Sequence, residues 1–290
     1  TGSYIDLSNS TFEGNGILYW GSAVQFWDSD GVIANVAFLN NRAGLGPDGY
    51  GAVTYYNATG APESVTITNS TFAGNRSLSS GNGVGGALHD RGANLTLTNV
   101  IAWDNGPLGI VSEYGNASVS YSDVQGGLAN TGFSDGGQNV DADPLFVGSG
   151  DYRLSSPDSP CVDAGNNSVP GLPATDLDGN PRILNGKGGA SFQVDMGAYE
   201  LATFMCAPDE ATIGTRMTLL GKGYGTKKPS VFVAYETKPG KIKKVAAKVE
   251  TIDAYDTGLV AWWTKKILPG TYDLWVLPKI KGATAILLGR

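Results

Sequence analysis

A seven-residue string with asparagine at both ends constrains this chain more than any other feature. Asn9-Ser-Thr-Phe-Glu-Gly-Asn15 recurs as Asn69-Ser-Thr-Phe-Ala-Gly-Asn75, with looser copies in Asn35-Val-Ala-Phe-Leu-Asn-Asn41 and Asn99-Val-Ile-Ala-Trp-Asp-Asn105. Aligned on Phe12, Phe38, Phe72 and Ala102, the copies are 26, 34 and 30 residues apart. Self-similarity at such a period is the mark of stacked repeats, each unable to bury its apolar face alone.

Each step holds two further elements. One is a small-residue turn entering an apolar strand, as in Gly21-Ser-Ala-Val24, Gly51-Ala-Val53, Gly85-Gly-Ala-Leu88 and Gly109-Ile-Val111. The other is an alternating strand, as in Ser64-Val-Thr-Ile-Thr68, Asn94-Leu-Thr-Leu-Thr98 and Ala117-Ser-Val-Ser-Tyr121. Period-2 alternation points Val65, Ile67, Leu95 and Leu97 into a narrow core and turns Thr66, Thr68, Thr96 and Thr98 to water. Asparagines stacked at one corner can run an amide ladder between repeats. Three short strands per step is the arithmetic of a right-handed parallel β-helix, a three-sheet solenoid, over residues 1–138. The extra residues of the longer steps fall in loops, around 43–50 and 76–84.

Composition agrees with an all-β, turn-rich chain: 42 glycines in 290 residues and only 16% charged side chains. The length allows two domains at about 150 residues each. No run of about 18 apolar residues is present, so no membrane span is expected. No charged n-region followed by an apolar h-region is present either, and an exported chain would have its leader outside this numbering. Charge divides the chain sharply. Residues 1–200 carry 20 acidic and 6 basic side chains, net −14; residues 201–290 carry 7 and 14, net +7. The acidic part argues against a nucleic-acid partner. The lysines of the basic part, at 227, 228, 241, 243, 244, 265 and 266, could touch a polyanion, although charge runs are usually solvated faces.

Three resemblances follow from such strings. The Gly-Gly-Ala-Leu motifs interleaved with Phe-x-x-Asn motifs, as in Gly85–Leu88 and Phe72–Asn75, look like bacterial surface β-helices of the polymorphic outer membrane protein type. The ordered series Asn139-Val-Asp-Ala-Asp-Pro-Leu-Phe146, Asp151-Tyr-Arg-Leu-Ser155, Ser159-Pro-Cys-Val-Asp-Ala-Gly165, Asp176-Leu-Asp-Gly-Asn-Pro-Arg182 and Asp195-Met-Gly-Ala-Tyr-Glu200 resembles the choice-of-anchor Q domain. That family closes exported bacterial β-helices ahead of varied anchoring modules, so the resemblance implies a closing segment over residues 139–201. From Phe204 the texture changes to Lys-rich strands with Gly and Pro turns. Met217–Gly225, Ser230–Ala234, Leu259–Trp263 and Pro269–Val276 together resemble an IPT/TIG immunoglobulin-like β-sandwich over residues 202–290.

Sites of chemistry are sparse. Leu88-His-Asp-Arg91 sets the one histidine, His89, beside an acid and a base, but neighbours in a strand face opposite ways, which spoils a joint site. Glycoside hydrolysis needs two carboxylates about 5–9.5 Å apart; Asp28 with Asp30 and Asp90 with Asp104 read as isolated corner residues. Residues 1–138 contain no lysine to serve a calcium-dependent lyase. Asp176-x-Asp178-x-Asn180 begins like a calcium loop, yet Pro181 stands where the loop needs glycine. Asp141, Asp143, Asp176 and Asp178 remain the candidate ligands for a hard cation; no other cofactor is expected. Asn-x-Ser/Thr sequons at Asn9, Asn57, Asn69, Asn75, Asn94, Asn116 and Asn166 follow from Asn corners beside Thr-rich strands. Of the adjacent aromatics Tyr19-Trp20, Phe26-Trp27 and Tyr55-Tyr56, one ring of each pair is expected inside and one outside, leaving Trp20, Trp27 and Tyr56 as candidates for stacking on a glycan. Cys161 and Cys206 either pair or remain two buried thiols.

The expectation for function is a non-enzymatic extracellular structural protein at a bacterial cell surface. It self-associates head to tail into a homopolymer through the first repeat (Tyr4, Ile5, Leu7) and the basic residues Lys227, Lys228, Lys243 and Lys244. The alternatives are a monomeric adhesin or carbohydrate-binding protein and, third, a polysaccharide lyase or hydrolase.

Overall fold

In the computed structural model the chain divides into two compact units, Thr1–Leu201 and Ala202–Arg290. The structure describes residues 3–17, 23–45, 50–60, 63–79, 84–184, 186–187 and 193–201 of the first unit, and the backbone of eight strands in the second. The described elements are all strands, and those of the repeats pair in parallel.

The first unit is laid down in successive passes. The first contributes β1 (Ser3–Glu13). The second contributes β2 (Val24–Trp27), β3 (Ser29–Leu39) and β4 (Arg42–Ala43). The third runs through β5 (Val53–Tyr56), β6 (Ser64–Thr68), β7 (Thr71–Ala73) and β8 (Arg76–Ser77). Then come β9 (Gly85–Arg91), β10 (Asn94–Thr98) and β11 (Ile101–Trp103), followed by β12 (Leu108–Ser112), β13 (Asn116–Ser120) and β14 (Asp123–Val124), and finally β15 (Phe133–Asp135). Equivalent strands of consecutive passes pair side by side: β2-β5-β9-β12 form one sheet, β6-β10-β13-β15 and β7-β11-β14 extend a second through β3, and β4 pairs β8.

The register is that of the heptapeptide alignment: Phe12 lies opposite Phe38, Phe38 opposite Phe72, and Phe72 opposite Ala102. The three rings stack at 5.1 and 4.8 Å with nearly parallel planes, and Ala102 ends the column. Around them Ile33, Ile67, Leu95, Leu97, Leu88 and Val53 fill one continuous core between the sheets.

Both corners of the heptapeptide are left-handed. Asn9, Asn35, Asn69 and Asn99 have φ between 46° and 60°, a region that Asn tolerates better than most residues. The second bend falls one residue before the closing asparagine, at Gly14, Asn40, Gly74 and Asp104, with φ of 65°, 54°, 69° and 52°. At Gly74 a Cβ would lie 2.4 Å from Asn40 Oδ1 and 2.6 Å from the Tyr152 hydroxyl, so any larger residue there would have to displace both side-chain ends.

One expectation needs correction. Thr66 is half-exposed and Thr96 exposed, but Thr68 and Thr98 are buried. They directly precede Asn69 and Asn99, a corner at which Arg182 donates to the Asn69 carbonyl and Asn99 donates to the Asn166 carbonyl, and Thr98 Oγ1 lies 3.3 Å from Ser120 Oγ.

The described part of residues 139–201 contains the short hairpin β16 (Phe146–Gly148) and β17 (Asp151–Leu154), with isolated bridges Asp123–Val140, Thr175–Pro181 and Leu184–Gln193, and bonds to the Asn corner through Asn166, Thr175 and Arg182. The second unit has β18 (Phe204–Ala207), β19 (Arg216–Gly221), β20 (Ser230–Lys238), β21 (Lys241–Ala246), β22 (Lys248–Ile252), β23 (Gly258–Trp262), β24 (Asp273–Leu277) and β25 (Ile286–Gly289). They form two four-stranded antiparallel sheets, ordered β18-β19-β23-β22 and β21-β20-β24-β25. Among the described residues no helix is long and apolar enough to cross a membrane.

Candidate binding surface

The sheet β2-β5-β9-β12 sorts its side chains by alternation. Val53, Leu88 and Ile110 face the core, with Phe26 and Tyr55 in the next inward row. The residues between and after them face outward, and these carry the chemistry. Trp27, Tyr56 and Arg91 occupy one register position on three consecutive strands. Trp27 is 56% exposed and its ring lies 4.5 Å from that of Tyr56, tilted by 37°. The Arg91 guanidinium covers the Tyr56 ring at 5.5 Å and the Tyr114 ring at 5.9 Å. Tyr114 is 76% exposed. Glu113 accepts a hydrogen bond from Arg91 Nε at 3.2 Å. The result is a column of aromatic, aromatic, cation and aromatic groups that follows the strand stacking, with a carboxylate at its flank.

His89 also lies on the outward side, opposite Thr54 and Val111, but it is fully buried. Its Nδ1 accepts from the Gly85 main chain at 3.4 Å and its Nε2 lies 3.7 Å from Glu113 Oε1. Asp90 faces the other way. It accepts from Ser112 Oγ at 2.6 Å and from the main-chain N–H groups of Gly92 and Ala93, and its burial raises its pKa. His89 and Asp90 therefore form no joint acid–base pair; Asp90 shapes the turn into β10.

The four candidate cation ligands are not gathered into one site, and the described residues contain no group of three or more His, Cys, Asp or Glu placed to hold a metal. Asp141 accepts from the Gly126 N–H and Asp143 from the Leu145 N–H. Asp176 accepts from the main chains of Asp178, Asn180 and Glu200 and from Asn180 Nδ2, which makes it the core of a structural turn. Asp178 forms a two-pronged pair with Arg153, both contacts at 2.6 Å. Of the cysteine alternatives, Cys161 is a free, buried thiol that donates to Asp123 Oδ2 at 3.1 Å; no disulfide joins it to Cys206, whose side chain lies outside the described set. Burial pushes the Cys161 thiol up and Asp123 up to about 6.

A buried polar cluster that the sequence reading did not single out joins residues of the 163–200 stretch to the repeats. Arg182, 1% exposed, donates to Asn35 Oδ1 and the Asn69 carbonyl on one side and to Gly197 O, Ala198 O and Glu200 Oε1 on the other. By taking Asn35 Oδ1, Arg182 replaces one link of the corner ladder. Asn35 Nδ2 still donates to Asn9 and Asn99 Nδ2 to Asn69, whereas Asn69 Nδ2 is left without a hydrogen-bond partner. Asp195 accepts from the main-chain N–H groups of Asp163 and Leu201. Burial raises the pKa of both Asp195 and Glu200; their mutual repulsion adds to this at Glu200, and Arg182 opposes it.

Of the residues proposed for assembly, Tyr4 is exposed and Ile5 and Leu7 are half-exposed on β1, whose described partner is β3. Lys243 and Lys244 are consecutive positions on β21, opposite Tyr235 and Ala234 of β20. Trp20, Lys227 and Lys228 lie outside the described residues. The sequence reading reached Trp27 and Tyr56 as outward rings, took Arg91 only as a neighbour of His89, and did not reach Glu113 or Tyr114. The signal was available: aligning Gly51-Ala-Val53 with Gly86-Ala-Leu88 brings Tyr56 opposite Arg91. Comparison with protein-family models, curated proteins and solved structures finds no match.

Proposed function

We propose that residues 1–201 are wound as a right-handed parallel β-helix closed by a choice-of-anchor Q-like segment, and that residues 202–290 form an IPT/TIG-like immunoglobulin-like sandwich. We read the chain as an extracellular, non-enzymatic structural protein at a bacterial surface, a subunit of a filament. Parallel pairing of every repeat with the next supports the winding, and parallel crossovers are right-handed in about 98% of cases.

The observation that carries the structural role is the use made of the buried and half-buried polar side chains. Asn41, Asn75 and Asn105 hydrogen-bond from pass to pass, and Asp163, Asp176, Arg182, Asp195 and Glu200 bind the main chain or one another. Groups committed in this way stiffen a rod and leave little over for catalysis. Head-to-tail assembly draws on the charge division of −14 against +7 and on the edge of β1 with its half-exposed Ile5 and Leu7. Complementary surfaces on one chain make a heterologous contact, and one that does not close yields a filament.

Electron microscopy and size measurement in low and high salt test this reading. Filaments or large species at low salt, shrinking as salt screens the contact, are expected. A chain that stays monomeric at high concentration and low salt refutes assembly.

A further inference from the structure

We propose that the column Trp27–Tyr56–Arg91–Tyr114, with Glu113 at its side, is a binding site for a neutral polysaccharide. The site does not depend on whether the chain forms filaments. It begins with position. Three consecutive strands present Trp27, Tyr56 and Arg91 at the same register, and Tyr114 follows two residues after β12. At about 4.8 Å per strand the column is about 14 Å long from Trp27 to Glu113, the reach of a short oligosaccharide.

The ring faces decide the ligand class. Tyr56 covers one face of Trp27, and Arg91 lies over Tyr114 while both tyrosine and tryptophan ends stay largely in solvent. Sugars alternate apolar C–H faces with hydroxyl edges. Exposed aromatic surface meets the first, while a planar guanidinium fork and a carboxylate meet the second as donor and acceptor. The strands fix these groups in advance and Arg91 is held between two rings, so little side-chain freedom is lost on binding.

Charge narrows the class to neutral glycans. Arg91 is ion-paired with Glu113, Asp28 follows Trp27 directly, and the surrounding part of the chain carries −14. A polyuronate meets net repulsion at such a surface.

The test is affinity electrophoresis of the whole chain through gels containing a β-1,4-glucan, a mannan, a xylan or polygalacturonate. At least one neutral polymer is expected to retard the protein and polygalacturonate is not. Trp27→Ala and Tyr114→Ala are each expected to weaken that binding by about tenfold or more, with an unchanged thermal midpoint, while Val147→Ala, an exposed apolar side chain on β16, leaves it intact. Absence of retardation by every neutral polymer, stronger retardation by polygalacturonate, or equal loss in Val147→Ala overturns the assignment.

Discussion

Asn75 Oδ1 accepts two hydrogen bonds from Asn41, one from its main-chain N–H at 3.0 Å and one from its side-chain amide at 2.9 Å. Asn75 repeats the relationship with Asn105 at 3.0 and 2.9 Å and also donates to the Phe38 carbonyl at 2.8 Å. A single fully buried side chain thus serves three passes of the chain. Asn75→Ala leaves the Asn41 N–H groups, Asn105 Oδ1 and the Phe38 carbonyl short of a partner. A loss of about 3 kcal/mol is expected, since an unsatisfied buried polar group costs about 1–3 kcal/mol. Urea unfolding measures it, and a loss under 1 kcal/mol shows that water replaces the amide.

The clamp at Arg182 obeys a different rule. Removing one partner of a buried ion pair strands the other, at about 3–5 kcal/mol, while replacing both with apolar groups is far milder. Arg182→Met alone is expected to destabilise strongly and to loosen residues 163–201, seen as faster amide exchange there. The double variant with Glu200→Leu is expected to recover part of the loss. Additive losses in the double-mutant cycle argue against coupling.

Two glycines with nearly the same φ offer an internal control. Gly14 (φ 65°) has nothing within 4 Å of a built Cβ, whereas Gly74 (φ 69°) faces Asn40 Oδ1 and Tyr152 Oη at close range. Gly14→Ala is expected to cost about 1–2 kcal/mol, the strain of the left-handed region. Gly74→Ala carries the same strain plus the clash, so its midpoint in thermal unfolding falls further. Equal losses refute the packing argument.

Asp123 makes stability depend on pH. Its folded pKa, raised by burial to about 6, lies above its ordinary value of 3.8, so the folded state holds this proton more tightly. The stabilisation is complete below pH 3.8 and is lost as pH rises through 6, up to about 3 kcal/mol at 1.36 kcal/mol per pH unit. Thermal midpoints of wild type and Asp123→Asn between pH 4 and pH 7 isolate the contribution. The difference between the two proteins is expected to grow toward acid in favour of wild type, and a constant difference removes Asp123 from the account.

The repeat alignment was legible because its residues answer to local demands. Asparagine and glycine at positions 9, 14, 35, 69 and 74 mark left-handed corners, and Phe12, Phe38 and Phe72 align where the chain must stack. Trp27 and Tyr56 could be proposed as outward rings because each follows an inward one, and Phe26 and Tyr55 are indeed buried. The burial of Thr68 and Thr98 was not legible, since alternation alone turns them outward, and the adjoining Asn69 and Asn99 are bonded by Arg182 and Asn166 from 113 and 67 residues away. Arg182 escaped for the same reason: its partners Asn35 and Asn69 are 147 and 113 residues away.

The sequence by itself determined the period, the corners, the all-β composition and the register of the parallel passes, because φ preferences and apolar alternation act over a few residues. Only the tertiary structure decided which polar groups are buried inside and which lie at the surface. Arg182 and Arg91 are alike in sequence, each an arginine beside a turn. One is buried against an Asn corner and a glutamate, and the other lies between two tyrosine rings at the surface, a difference set by the distant segments that fold against each.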